Sequence, residues 1–462
     1  MAPRTAVRWC LIALGACAAG RAVAQTPDTP PATVAPPPAP PPTPPEVAPP
    51  PAPPSPPPTA PTVQSFEPAD VTGPKAGEIA PVSTEPAKTP TGALPLTMDE
   101  MPVAAANNRV TLNMFGDTAF IIDSVTPKQP GFVIGDLDLL ITGRAASLTA
   151  MAETALEQRG HGTVGIDLER IFVGWRGERV AVDAGRTHAE LGYWNNAFHH
   201  GRWLQITAER PRILKFEDEG GILPIHLVGV TAHWRPLVEG DQRIELAGSV
   251  GNGRGNITDD VQEVPVGNGF DTNGFKSLLF KAGFKGFGAR DLQFGVSGMY
   301  DRIAPLPATV ADPTDPEMFA RPALPNQTIQ EWIGNAYLAY RGSQLTVISE
   351  IFDLLHTSAM PDIAGKTSWN TVDAYALGAY RIGDFSPYLM AEIRRTSGDL
   401  DPFFFPDPTV PNPEILRDFE EVTVGVRWDL TTWSAIKLEY RGTFPRETSH
   451  INTGTIDWCF GL

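Results

Sequence analysis

From residue 109 onward, apolar and polar side chains alternate with a period of two in one segment after another. In the stretch from Glu421 to Trp428, Val422, Val424, Val426 and Trp428 share one parity, and Glu421, Thr423 and Arg427 the other. Ile436, Leu438 and Tyr440 oppose Lys437, Glu439 and Arg441. Leu278, Phe280, Ala282 and Phe284 oppose Lys281 and Lys285, and Leu345, Val347 and Ile351 oppose Thr346 and Glu350. Neighbouring residues of a strand point to opposite faces, so each segment predicts a strand with one apolar and one wet side. The pattern predicts strands near 109–122, 132–143, 148–157, 164–176, 179–186, 226–234, 243–251, 277–285, 291–301, 331–341, 343–354, 370–381, 385–394, 420–429, 435–442 and 449–460.

A soluble sandwich would alternate in the same way, so the connections decide. After the first strand they alternate between short ones, such as 342, 382–384 and 430–434, and long ones, such as 187–225, 252–276, 302–330 and 395–419. Tight turns at one rim and long loops at the other, with an even strand number, are the pattern of a membrane barrel. Trp175, Trp234, Tyr340, Tyr380, Trp428 and Trp433 each fall within about two residues of a short turn, where an aromatic girdle meets the headgroup level. No apolar run of 18 or more residues follows the N-terminal segment, so no spanning helix is expected. The expected fold is all-β: a transmembrane antiparallel β-barrel of about 16 strands over 103–462, preceded by a disordered Pro-rich segment. Ile456, Trp458 and Phe460 resemble the C-terminal assembly signal of such barrels, although the chain ends in Gly461-Leu462.

The first hundred residues have a different composition. Arg4 and Arg8, the apolar run Trp9–Gly20 and Ala22-Val23-Ala24 read as a secretory signal over 1–24. A competing site, Leu14-Gly15-Ala16-Cys17, resembles a lipidated-cysteine signal. Of the 48 prolines, 26 lie between Thr26 and Thr97, too many for a packed core. Proline fixes φ and lacks an N–H, so 25–102 is expected as a polyproline-type periplasmic linker, with 26–97 a candidate contact to the cell wall.

Charge and cysteine usage remove several function classes. The formal charge of −17 leaves no electrostatic footprint for nucleic acid. Of the three cysteines, Cys10 and Cys17 lie in or beside the leader, so no disulfide framework is expected. No Gly-x-Ser-x-Gly elbow or serine–histidine signature suggests an enzyme, and no cofactor is expected. His188, His199 and His200 lack a ligand pattern for zinc. Gly251-Asn252-Gly253-Arg254-Gly255 leaves a strand without opening a helix, so it is not read as a phosphate cradle. Asp259, Asp260 and Asp271 read as a solvated acidic loop in preference to a calcium site.

The longest connection, 187–225, concentrates unusual chemistry: His188, Tyr193, Trp194, His199, His200, Arg202, Arg210, Arg212 and Lys215, then Glu217, Asp218 and Glu219. Gly185-Arg186-Thr187-His188, Leu191-Gly192-Tyr193-Trp194-Asn195, His199-His200-Gly201, Phe216-Glu217-Asp218 and Gly220-Gly221-Ile222-Leu223-Pro224 together resemble a block of Gram-negative porin-like outer-membrane proteins. These are distantly similar to phosphate-selective and general porins. The resemblance is specific over roughly residues 110–260 and architectural beyond. It implies that 187–225 folds into the lumen as a constriction loop. A loop that only locks itself to the wall, and one that lies outside as a lid, are the competing readings.

Passive diffusion of small hydrophilic solutes or ions through a water-filled barrel is therefore the expected function. Lys281, Lys285, Glu350, Glu392, Arg394, Arg427, Lys437, Glu439 and Arg441 are the expected pore lining. Basic and acidic groups facing each other across a pore sort solutes by charge. The adjacent Glu217–Glu219 argue against a phosphate site, and the net charge leans toward cations. Expected surroundings are outer-membrane lipid and lipopolysaccharide, with both termini periplasmic, and the resemblance implies a homotrimer. The alternative is a structural or adhesive barrel tethered to the cell wall by the Pro-rich segment.

Overall fold

In a computed structural model, the structure describes residues 109–124, 130–159, 163–198, 201–216, 221–236, 242–254, 274–303, 328–358, 367–397, 416–446 and 448–462, with positions 238, 240, 401 and 404 between them. The expected leader and Pro-rich linker fall outside the described residues.

Sixteen antiparallel strands close into a barrel in sequence order. They are β1 (Arg109–Asp123), β2 (Gly131–Ala145), β3 (Leu148–Arg159), β4 (Thr163–Arg176), β5 (Val180–His188), β6 (His226–Trp234), β7 (Arg243–Asn252) and β8 (Lys276–Lys285). The second half is β9 (Leu292–Ile303), β10 (Ile329–Arg341), β11 (Leu345–Ser358), β12 (Ser368–Tyr380), β13 (Phe385–Thr396), β14 (Phe419–Asp429), β15 (Ser434–Pro445) and β16 (Ile451–Gly461). Each expected strand is present. Ends differ by a few residues, mostly because ladder pairing carries strands beyond the alternating core toward the long-loop rim. β1 and β16 seal the wall from Phe115↔Gly461 to Asp123↔Thr453. Met114 and Leu462 then exchange backbone hydrogen bonds at 2.9 and 2.8 Å. Closure leaves no unpaired edge, which a sheet surrounded by lipid requires.

The apolar face points outward. On β14, Val422 and Val424 are 44% and 49% exposed, whereas Glu421 and Thr423 between and beside them are 2% and 0%. On β15, Leu438 and Tyr440 are exposed while Lys437, Glu439 and Arg441 are buried. A water-soluble fold inverts this order. Apolar residues outside and charges inside is the arrangement that a bilayer around the barrel demands. Trp175, Trp234, Tyr380, Trp428 and Trp433 are exposed close to the short-turn rim, and Phe385 stacks on Trp428 at 5.5 Å. Among the described residues no helix is long and apolar enough to cross a membrane.

Because the strands run antiparallel, the start of β1 and the end of β16 share a rim with the connections 146–147, 177–179, 342–344 and 430–433. The opposite rim carries 124–130, 160–162 and then 189–225 as its third connection.

Candidate functional site: the loop held inside the barrel

Residues 189–225 leave β5 at His188 and re-enter β6 at His226, which are register partners. The neck is narrow. The Ala189 N–H donates to the Ile225 carbonyl at 2.8 Å, and the Asn195 amide donates to the Ala189 and Ile225 carbonyls at 2.9 and 3.1 Å. Among its described residues are one helical turn, α1 (Trp194–Ala197), and two 3₁₀ turns, Arg202–Leu204 and Arg212–Leu214.

Short helical turns leave N–H groups without partners, and carboxylates on the barrel wall supply them. Glu350 of β11 accepts the N–H of Tyr193 and of Trp194, each at 2.8 Å, together with the Tyr375 hydroxyl at 2.6 Å and the Asn335 amide at 3.2 Å. Glu392 of β13 accepts the N–H of Arg212 at 2.8 Å and of Ile213 at 2.9 Å, at the start of the last 3₁₀ turn. Glu439 of β15 accepts the Ala208 N–H at 2.8 Å and the Tyr388 hydroxyl at 2.9 Å. Gly192 makes the first approach feasible: its φ is +73°, and a Cβ there would lie 2.3 Å from a Glu350 oxygen.

Wall cations hold the carbonyls of the same loop. Arg427 donates to the Trp203 carbonyl at 2.6 Å and the Gln205 carbonyl at 2.8 Å. Lys437 donates to the carbonyls of Arg202 and Thr207, the latter at 2.9 Å, and Arg441 to the Arg210 carbonyl at 3.3 Å. Buried polar backbone must find partners. Here the loop, lacking a sheet to join, finds them among charged side chains of β11 and β13–β15.

Apolar side chains complete the attachment. Trp194 is fully buried, with its ring 4.5 Å from Phe198 and edge-on to Tyr375 at 5.9 Å. Leu191, Leu204, Ile213, Leu214, Ile222 and Leu223 form one cluster with wall residues including Tyr337, Phe352 and Met390.

The remaining expected loop residues are placed as follows. Arg202 reaches Asp117 of β1 at 3.4 Å and Glu209 at 3.0 Å. Arg212 pairs with Glu421 at 2.6 Å and donates to the Thr443 hydroxyl at 3.2 Å. Arg210 lies over the Phe216 ring at 3.9 Å, and Phe216 stacks on His226. His188 is buried with its ring 5.2 Å from His226. Lys215 is half-buried beside the last 3₁₀ turn. Burial pushes the Glu209 carboxyl up, but Arg202, Arg441, Lys215 and Lys437 together bring it below the ordinary glutamate range. His199, His200, Glu217, Asp218 and Glu219 lie outside the described residues, as do Asp259, Asp260 and Asp271.

All nine expected lining residues point inward, yet most hold the loop. Glu350, Glu392, Arg427, Lys437, Glu439 and Arg441 bond it directly, and Lys281 pairs with Glu190, within the loop, at 3.2 Å. Arg394 serves another connection: it pairs with Asp373 at 2.7 Å and donates to the Leu416 carbonyl at 3.1 Å. Lys285 sits half-buried near the short-turn rim.

Sequence reasoning did not single out Asp117, Glu190, Asn335, Tyr375 or Glu421 as site residues, although inward parity marks Glu421. It also missed a buried relay at the long-loop end. Arg254 donates to the Ile222 carbonyl at 2.7 Å and pairs with Glu331 at 3.0 Å, and His356 bridges Glu331 at 2.9 Å and Asp401 at 2.7 Å. Among the described residues no three His, Cys, Asp or Glu side chains are placed to hold a metal ion.

No family model and no curated protein matches the sequence. Solved structures do match in shape. The anion-selective porin from Comamonas acidovorans superposes with a TM-score of 0.50 at 11% identity, over 77% of this chain and 100% of that one. This is a porin's barrel fold. The outer-membrane channel DcaP of Acinetobacter baumannii has a TM-score of 0.49 at 8% identity, over 78% of this chain and 99% of that one. Outer-membrane expressed OmpT of Vibrio cholerae has 0.48 at 10%, over 78% and 99%. At these identities the likeness concerns the fold, and the loop's attachments are this chain's own.

Proposed function

We infer that the protein is an outer-membrane porin. Small hydrophilic solutes or ions diffuse passively through its barrel, and residues 189–225 set the narrowest point. The observation that carries this reading is the attachment of the loop's backbone to inward carboxylates and cations of β11 and β13–β15. A segment bonded to the interior wall on that side narrows whatever lumen remains toward the other. Long loops then face the exterior, both termini face the periplasm, and closure into a homotrimer is consistent with the apolar outer wall. The mechanism in this reading is sieving with electrostatic sorting.

Cations are the favoured solutes. The inner faces of β1–β4 present Asp117, Asp138, Glu153 and Glu169, all buried. Arg202 and Arg170 pair with Asp117 and Glu153, and His226 lies 3.1 Å from Glu169. Asp138 has no hydrogen-bond partner for either carboxylate oxygen. The chain's formal charge of −17 sets the sign of the long-range field, which favours cations at the pore mouths.

Reconstitution in a planar bilayer under a KCl gradient tests both parts. Stepwise openings with a cation-sided reversal potential are expected. A silent bilayer, with insertion confirmed by heat-modifiable mobility, would replace this reading with the structural barrel. That second reading draws on one specific observation, the use of seven of the nine expected lining charges to lock the loop.

A further inference from the structure

β1 and β16 lie at opposite ends of the barrel chain, so no connection holds that pair together, and their ladder closes the longest loop in the fold. From inside, the segment 201–203 lies across this seam. A Cβ on Gly461 of β16 would lie 2.3 Å from Cδ1 of Trp203 and 3.0 Å from Cδ1 of Phe115 on β1. The indole therefore rests on bare backbone of β16, where it pairs with β1 at Phe115↔Gly461. Gly201 makes the matching approach to β1: its φ is +82°, and a Cβ there would lie 2.6 Å from the Phe115 Cβ.

The same segment is tied to the strands on either side. Arg202 pairs with Asp117 of β1 at 3.4 Å. Lys437 of β15 donates to the Arg202 carbonyl and pairs with Asp457 of β16 at 3.5 Å. Arg427 of β14 lies over the Trp203 ring at 4.5 Å and donates to the Trp203 carbonyl. Three residues thus bridge β14, β15, β16 and β1, consecutive neighbours in the closed wall. Narrowing a pore needs attachment anywhere on that wall. Attachment across the junction of first and last strands does something further, because β1 and β16 cannot part unless the loop releases one of them. It also accounts for Gly461 near the chain end, where a side chain would collide with Trp203.

We propose that residues 201–203 are an internal clamp that holds the barrel shut at its β1–β16 seam, a role separate from narrowing the pore. The clamp belongs to closure of the wall and acts whether or not the lumen conducts.

Heat-modifiable mobility of the full chain in detergent tests it, read as the midpoint temperature at which the folded band is lost. W203A is expected to lower that midpoint by roughly 5–10 °C. A disulfide across the seam, F120C/I456C on register partners of β1 and β16, should return W203A to the parent's midpoint, and reductant should abolish the rescue. A disulfide elsewhere in the wall, V250C/L278C on partners of β7 and β8, should not. G461A should lower the midpoint through the same contact, and W203A/G461A should lose less than the two single shifts combined. An unchanged midpoint in W203A overturns the proposal, as do additive shifts in the double variant. Equal rescue by both disulfides overturns it too, since that marks a general loss of packing. Should neither single variant fold, recovery of the folded band by the seam disulfide alone supports the clamp, and recovery by neither or both overturns it. Planar-bilayer conduction reports separately on the pore reading.

Discussion

The carboxylate of Glu350 on the barrel wall and the backbone N–H of Trp194 at the start of the loop's helical turn lie 2.8 Å apart. Glu350 thereby does for α1 what a capping side chain does within a helix, but from 156 positions further along the chain. The same carboxylate also collects Tyr193, Tyr375 and Asn335, which makes it the anchor most sensitive to loss of an acceptor.

Glu350→Gln should therefore release the first half of the loop without preventing barrel assembly. An amide offers one acceptor oxygen in place of two, and each buried N–H left unpaired costs about 1–3 kcal/mol. Single-channel records should show larger current noise at unchanged heat-modifiable mobility. Quiet records identical to the parent would mean that the apolar cluster around Trp194 is sufficient.

Asp138→Asn replaces a fully buried carboxyl group of β2 whose two oxygens have no hydrogen-bond partner. The reversal potential in a KCl gradient should stay where the parent's lies, because this group has no contact with the water of the lumen. Thermal stability should rise, because a buried carboxyl group without a hydrogen-bond partner is replaced by an amide of similar size that can donate to neighbouring carboxylates. A reversal potential moved toward zero would show instead that permeating ions feel an ionised Asp138.

Glu209 gives the loop one acid-sensitive contact. Its folded value lies below the ordinary glutamate value, so its contribution is fully present above that ordinary value and is lost as pH falls through the depressed folded one. The 3.0 Å pair with Arg202 should hold at neutral pH and fail only in acid. Conductance measured down an acid series should change in the parent and lose that component in E209Q. A parent transition near neutrality would place its origin elsewhere.

Val424→Arg tests which face meets lipid. Val424 is 49% exposed and lies in the interior of β14, where an outward arginine costs about 2–4 kcal/mol in a bilayer. Insertion into vesicles, followed by protease protection, should drop sharply. Normal insertion would contradict the outward assignment of the apolar face.

Much of this architecture was legible without coordinates. Alternation such as Val422, Val424 and Val426 against Glu421, Thr423 and Arg427 marks a strand and its two faces, because the period of two is a property of the local backbone. Loop lengths separated the two rims, and residue parity placed Lys437, Glu439 and Arg441 inside. Less legible was what those inward charges do. Read as lining, they prove to be partners of Arg202, Thr207, Ala208 and Arg210.

That difference has a physical cause. Strand, parity and rim follow from nearest neighbours along the chain, so composition and spacing suffice to derive them. The Glu439–Ala208 hydrogen bond joins residues 231 positions apart. It exists because barrel closure brings β15 to the place where the loop's peptide groups need acceptors. No local spacing encodes that distance across the lumen. The pairing of Glu350, Glu392 and Glu439 with particular N–H groups was decided only when the loop folded inward and each buried donor took the nearest available oxygen.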